Sequence, residues 1–285
     1  MMNGLPGAMG NEIASAALRR GLNLAPFALS GPGFGGEVSV SGGGKTVVVR
    51  LYEPSERDSL AVRVAAEYPQ LGSLICIDFT HPSAVNSNAS WYASLNLPFV
   101  MGTTGGDREA LMRDTETSGV YAVIAPNMCK QIVALQAALS QMAQDFPGSF
   151  SGYSLSVVES HQSTKADTSG TAKAVSDSLS VLTGKPFDHA SIVRVREPSA
   201  QLAGGGLSHT GVSPVPEVAL GGHAFHTYHL AADGVDFQIR HNVSGRVTYA
   251  EGTVDAVRFL AAKVLSGSEQ RVFNMVDVLR AGALT

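Results

Sequence analysis

The densest chemistry in the chain lies in Glu159-Ser160-His161-Gln162-Ser163-Thr164-Lys165-Ala166-Asp167-Thr168-Ser169-Gly170-Thr171. His161 and Lys165 fall on a polar stretch between an expected strand at 154–159 and an expected helix at 169–183, where packing needs neither of them. Both can donate protons. Ser169, Gly170 and Thr171 open the helix, so first-turn N–H groups, two hydroxyls and Lys165 together describe a carboxylate cradle. The same residues also describe a solvated loop followed by an ordinary Ser N-cap.

A second candidate site is the run Gly4-Leu5-Pro6-Gly7-Ala8-Met9-Gly10 ahead of a helix expected at 12–20. A glycine loop feeding a helix N-terminus presents N–H groups and the positive dipole end to a pyrophosphate. Pro6 stands where the usual fingerprint has its middle glycine, and only three residues precede the loop, so the first strand is expected to be truncated. Three further segments, Asp78-Phe79-Thr80-His81-Pro82, Gly102-Thr103-Thr104-Gly105 and Ala125-Pro126-Asn127-Met128, end expected strands. A doubly wound sheet binds ligands outside the carboxyl ends of its strands, so their recurrence favours a dinucleotide site there. Ser30-Gly31-Pro32 stands where an acid would bind a ribose 2′-hydroxyl, which favours a 2′-phosphorylated dinucleotide, with Lys45 as the basic candidate to pair it.

Positioning these groups takes an α/β scaffold. Strands expected at 22–29, 46–51, 74–79, 98–101 and 121–125 alternate with helices at 12–20, 57–68, 83–94 and 108–117, the pattern of a parallel sheet with crossover helices. A helix at 128–146 leads to Pro147-Gly148, the expected hinge. Beyond it come strands at 192–196, 223–231 and 236–243, the last two joined through Asp233-Gly234, and a helix at 248–265. The expectation is a Rossmann-like domain at 1–148, an α+β domain with a mixed sheet at 149–266, and a C-terminal segment, 267–285, returning to the first. The stretch 199–222 reads as a surface loop or subunit contact.

Composition narrows the function class. With 44% hydrophobic and 15% charged residues, a net charge of −4 and no block of five like charges, nucleic-acid and membrane-surface roles are disfavoured. Cys76 and Cys129 sit in apolar stretches and read as buried thiols in a reducing compartment. No membrane span and no targeting peptide is legible. Among His223, His226 and His229, strand alternation turns His226 away from the other two, so a metal site is not expected and a half-solvated sheet face accounts for them.

Taken together these motifs resemble the 4-hydroxy-tetrahydrodipicolinate (dihydrodipicolinate) reductases of lysine and diaminopimelate biosynthesis. The resemblance spans almost the whole chain and is most specific in Glu159-x-His161-x-x-x-Lys165-x-Asp167 followed by Ser169-Gly170-Thr171-Ala172. Bacterial members usually carry a second His directly after the first and a Pro before Ser-Gly-Thr. Gln162 and a one-residue shortening here look like the plant and algal branch.

The resemblance implies reduction of a small cyclic dicarboxylate by NADPH, with NADH as the alternative, and no metal. It implies His161 as general acid, Lys165 as a catalytic donor, and Gln162, Ser169, Gly170 and Thr171 as substrate contacts. Gly4, Gly7, Ala8, Met9, Phe79, Thr80, Gly102, Thr104, Ala125 and Asn127 would hold the cofactor. It also implies domain closure with a hinge at 147–152, a dimer or tetramer built through the second domain's sheet, and a plastid location, or the cytoplasm for a bacterial protein. Two other readings stay open: a related dehydrogenase for another small dicarboxylate, and a catalytically silent nucleotide-binding subunit.

Overall fold

The computed structural model describes residues 1–282. In chain order its elements are β1 (Met2–Asn3), α1 (Ala8–Arg19), β2 (Phe27–Leu29), β3 (Gly36–Gly42), β4 (Lys45–Tyr52), α2 (Arg57–Glu67), β5 (Cys76–Asp78), α3 (Val85–Ser94), β6 (Phe99–Met101), α4 (Arg108–Ser118), β7 (Ala122–Ile124) and α5 (Lys130–Asp145). They continue with β8 (Ser154–His161), α6 (Gly170–Thr183), β9 (Val193–Val195), α7 (Pro198–Ala203), β10 (His223–Ala232), β11 (Val235–Ser244), α8 (Val247–Leu265), β12 (Val272–Phe273) and α9 (Met275–Arg280). The chain divides into two compact units, one of Met1–Lys130 with the residues from Val247 on, the other of Gln131–Arg246.

The first unit is built on a parallel sheet of order β1-β5-β6-β7-β12. Its three central strands are only three residues long and fully buried, so their residues must be apolar on both faces; Asp78 is the exception. The expected truncation of the first strand gives way to a two-residue β1. Two rungs suffice because β5 itself offers only three residues: Ile77 N–H donates to Met1 O at 2.8 Å and Phe79 N–H to Asn3 O at 3.1 Å. The Asn3 side chain then extends the ladder sideways, accepting from Leu29 N at 2.8 Å while Gly4 N donates to Leu29 O at 3.1 Å. This joins β1 to the second sheet, β2-β4-β3. Strand β3 has no counterpart in the sequence reading. It is exposed along most of its length, with only Val40 buried, and pairs with β4 through a hairpin whose Gly43 and Gly44 both take positive φ.

The second unit is a mixed sheet of order β11-β10-β8-β9, with β8 and β9 parallel and the other pairs antiparallel. Asp233-Gly234 forms the two-residue connection between the paired Ala232 and Val235. Alternation along β8 sends Val157, Glu159 and His161 to one face and Val158 and Ser160 to the other. On the first face α6 lays down Ala172, Val175, Leu179 and Leu182, all essentially buried, against Val157 and Tyr228. Each Val or Leu in that row contributes about 1.5–3 kcal/mol. On the other face Val158 and Phe225 pack against Val212, Val215 and Ala219. The 199–222 stretch is therefore no free surface loop: it contains α7 and covers one side of the sheet.

The division between units also differs from the expected 148 and 266. Leu139 and Ala143 of α5 belong to the second unit's core, whereas α8 packs on α1, β6 and β7 of the first. Pro147-Gly148 is no hinge between units. Gly148 N donates to Val181 O at 3.1 Å and Phe150 N to Leu182 O at 2.8 Å, which fastens this turn to the end of α6 within the second unit.

Candidate active site

The glycine loop from Gly4 to Gly7 borders a cavity of ≈760 Å³ in the first unit; the expected contacts Ala8 and Met9, at the start of α1, are not part of its wall. Gly4, Gly7, Phe79 and Thr80 line it together with Leu29, Ser30, Gly31, Arg57 and Asn88. Gly4 has φ +104°, and a Cβ there would stand 2.2 Å from Phe79 O, so the turn admits no other residue. Gly7 N–H is committed to Gly4 O at 2.9 Å, whereas the N–H groups of Ala8 and Met9 lie in the first turn of α1, where no intrahelical acceptor exists.

The remaining expected cofactor contacts divide. Gly102 is required by Phe79, whose ring would meet a Cβ at 2.1 Å. Ala125 is buried, with its N–H on Met101 O, and Asn127 Oδ1 accepts from Cys129 N at 2.8 Å at the entry to α5. Gly102, exposed Thr104, Ala125 and Asn127 follow the carboxyl ends of β6 and β7 but are not part of the cavity wall.

Lys45 is a correction. It begins β4, paired with Gly42, whereas the cavity lies past the other end of that strand, roughly 23 Å away by strand rise. Arg57, at the start of α2, is the guanidinium at the cavity. It donates through Nη2 to Asn88 Oδ1, and its buried Nε has no partner among the described residues.

One buried carboxylate organises this region. Asp78 Oδ1 accepts from the hydroxyls of Thr80 and Thr103, both at 2.8 Å, and Oδ2 accepts from Asn88 Nδ2 at 2.8 Å and Tyr92 OH at 2.6 Å. Asn3 Nδ2 donates in turn to Tyr92 OH. Thr103, rather than the expected Thr104, thus ties the β6 turn to the network.

The second unit gathers its polar groups on the α6 face of the sheet. Glu159 is fully buried; its Oε1 accepts from Arg196 Nη2 at 2.5 Å and its Oε2 from Ser169 N at 3.0 Å. Arg196 also donates to the backbone oxygens of Lys165, at 2.8 Å, and Asp167, at 3.2 Å, so one guanidinium clasps the whole loop. Lys165 Nζ donates to Asp167 Oδ1 at 2.7 Å, and Gln162, half-buried, closes the turn by accepting Lys165 N. Ser169 N-caps α6 without a side-chain bond, and its N–H is committed to Glu159, which removes that donor from the expected carboxylate cradle.

His226 and His241 complete the row. In register, Glu159 stands opposite His226, and His226 opposite His241. His161 Nε2 lies 3.0 Å from His226 Nε2, whose ring also meets Tyr228 OH through Nδ1 at 3.0 Å. The half-solvated face expected for the strand histidines is thus corrected, because His223, His226 and His229 are all buried. His223 lies on the other face, bonded to Ser160 Oγ at 2.8 Å, as the alternation requires.

Ligand atoms of Glu159, His161 and His226 come within 4.8 Å of one another. Both Glu159 oxygens are already hydrogen-bonded, however, and the Arg196 guanidinium beside them opposes a dication. The arrangement is that of a hydrogen-bond network. Arg196 and His226 carry no signal in linear spacing, whereas Glu159 opens the motif that holds His161 and Lys165; period-two parity on β8 and β10, once their register is known, aligns Glu159 with His226.

Electrostatics revises His161. Its resemblance-based role presumes a near-neutral imidazolium, but burial, then the Arg196 and Lys165 charges, push its pKa down to about 3. Without ligand it is neutral at pH 7. Burial likewise lowers His241 to about 4 and holds His226 well below its usual value.

The profile "Dihydrodipicolinate reductase, N-terminus" matches residues 1–128, and "Dihydrodipicolinate reductase, C-terminus" matches 131–279. The chain is 46% identical over 284 residues to 4-hydroxy-tetrahydrodipicolinate reductase 2, chloroplastic, of Arabidopsis thaliana, covering 99% of this chain and 77% of that one. It is 28% identical over 285 residues to 4-hydroxy-tetrahydrodipicolinate reductase of Rubrobacter xylanophilus, covering 94% and 96%. A dipicolinate-bound dihydrodipicolinate reductase from Paenisporosarcina sp. TG-14 shares the fold, with TM-score 0.61, 17% identity and 95% coverage of each chain.

The buried histidines set a pH dependence. Their folded pKa values lie below the unfolded one, so the folded state binds fewer protons, and its stability is full above about pH 6.5 and falls as pH drops towards 4 and 3. His241, whose ring nitrogens have no partner among the described residues, is the cleanest probe. Urea midpoints measured from pH 7.5 to 4.5 should decline, and His241→Phe should flatten that decline; an unchanged slope would contradict this burial effect.

Proposed function

The chain belongs to the dihydrodipicolinate reductase family, and from that premise we propose how its two units carry out NADPH-dependent reduction of 4-hydroxy-tetrahydrodipicolinate to tetrahydrodipicolinate. The chain is a nicotinamide-dependent oxidoreductase of lysine and diaminopimelate biosynthesis. The observation that carries the assignment is full-length similarity at 46% identity together with the Glu159–Arg196 network around His161 and Lys165.

The first unit fits a dinucleotide: the turn from Gly4 to Gly7 lines the cavity largely with backbone, and Ala8 and Met9 next to it offer N–H groups to a pyrophosphate. Arg57 supports the choice of NADPH over NADH, since a 2′-phosphate would give its unpartnered Nε a charge-assisted acceptor in a cavity whose lining includes no carboxylate. The C4 hydroxyl leaves as water to give the conjugated ring, and a bound reduced nicotinamide would supply the hydride that C4 then receives.

In the second unit Lys165 exchanges its Asp167 contact for a substrate carboxylate, and the hydroxyls and first-turn N–H groups at the start of α6 hold the other polar groups. Two substrate carboxylates offset the Arg196 and Lys165 charges that keep His161 neutral, so binding loads the imidazole with a proton. His161 then donates it to C3 as negative charge develops there. Gln162 is placed to add a neutral donor. The buried β1 removes one of the two motives for a silent subunit, the other being Pro6 in the glycine loop.

We further assign the chain to a homo-oligomer and to the plastid. The long, exposed β11, carrying Val235 and Phe237, supports the first, and the chloroplastic names of the plant relatives support the second. Among the described residues no helix is long and apolar enough to cross a membrane.

The test generates the unstable substrate in situ from pyruvate and aspartate semialdehyde with the preceding synthase and follows nicotinamide absorbance. Wild type should turn over, and His161→Ala and Lys165→Ala should each lose about a hundredfold or more in kcat. Losses of only a few-fold would refute these roles. Arg57→Ala should raise KM for NADPH about tenfold and leave NADH within about twofold, as expected for one charge-assisted contact; equal effects on both would remove Arg57 from cofactor choice.

A further inference from the structure

Proton donation by His161 needs more than a proton: the ring must face the right way and hold its charge in a buried place. Glu159 cannot serve as its partner, because its oxygens are committed to Arg196 and Ser169 and the nearer one lies 4.0 Å from His161 Nε2. The closest side-chain group is the imidazole of His226 on β10.

We propose that His226 is the positioning residue for the proton donor: its Nε2, 3.0 Å from His161 Nε2, accepts the hydrogen bond of the loaded His161 ring and so fixes that ring's orientation and its hold on the proton. Tyr228 makes this tautomer available. A hydroxyl can donate or accept, and with Nδ1–H of His226 donating to Tyr228 OH at 3.0 Å, the Nε2 lone pair is left to face His161. The His241 ring, its centroid 4.5 Å from that of His226, holds the partner in place from β11.

The pair carries one proton between the facing nitrogens, since two charged imidazoles in contact in a buried site would repel. The groups facing the pair are Glu159 on β8, Lys165 on the loop, Arg196 just after β9, Tyr228 on β10 and His241 on β11; the His223 side chain is on the opposite face, its backbone and its charge being what reach His161. The charge of Glu159 is neutralised by Arg196, and a backbone hydrogen bond at His223 also favours the charged His161 ring. The His226 lone pair is the side-chain contact that stabilises charged His161 relative to neutral His161.

This rests on the function proposed above and is tested so that the two fail differently. In the coupled assay, His226→Phe should lower kcat about tenfold with KM within about twofold, a loss in keeping with misplacing a reacting group. It should also move the high-pH limb of the kcat profile to lower pH, because the acceptor that favours the protonated ring is gone. His226→Gln, whose amide oxygen can accept, should restore most of both. A limb that stays put in His226→Phe, or equal losses with Phe and Gln, would overturn the proposal, since a merely structural role predicts either.

A second measurement does not depend on any variant folding. In wild type saturated with pyridine-2,6-dicarboxylate, ring-nitrogen NMR should place the proton of His226 on Nδ1; a proton on Nε2 would overturn the proposal. Absence of wild-type turnover would strike the function instead and leave the tautomer measurement to decide His226.

Discussion

The second unit depends on what surrounds the carboxylate of Glu159. A carboxylate with no exposure must be paired and hydrogen-bonded or it neutralises. Arg196 and the Ser169 N–H satisfy it, and in doing so they join β8, β9 and the start of α6. Losing one partner of such a pair costs about 3–5 kcal/mol. The remaining nitrogens of Arg196 reach the backbone of the loop between β8 and α6, so the interaction that stabilises the fold also holds Lys165 and Asp167 in place.

The first unit repeats the device with different chemistry. Asp78, likewise fully buried, is satisfied by hydroxyls and an amide rather than a cation, and its partners come from the turns after β5 and β6 and from α3. Through Tyr92 and Asn3 the network reaches the glycine loop and β2. Hydroxyls around a carboxylate leave the nearby cavity wall free of fixed positive charge except at Arg57. That contrast suits one unit to backbone cradling of a phosphate and the other to charge pairing with carboxylates.

Much of this was legible in the residues. Asp233-Gly234 between alternating runs specifies its hairpin, the period-three-and-four spacing of Ala172, Val175, Leu179 and Leu182 specifies α6, and the glycine loop specifies the mouth of the cavity. What was not legible shares a physical cause. Met2 and Asn3 are too few to read as a strand, because a neighbouring strand's edge and an Asn side chain supply the pairing that length usually provides. Strand β3 hides because little of it is buried. His226 and Arg196 join the site only through register across strands far apart in sequence, and no local spacing encodes that. The charge state of His161 is hidden for the same reason, since burial and the Arg196 charge that depress its pKa are brought in by the fold.

That charge state is where the account is most exposed. A neutral His161 without ligand, loaded by the arrival of a dianion between Arg196 and Lys165, requires the protein to take up a proton when it binds. Calorimetric titration of the protein with pyridine-2,6-dicarboxylate near pH 7, in buffers of differing ionisation enthalpy, reads that number directly. The account predicts uptake of roughly one proton per site, abolished by His161→Ala; binding without proton uptake would contradict it.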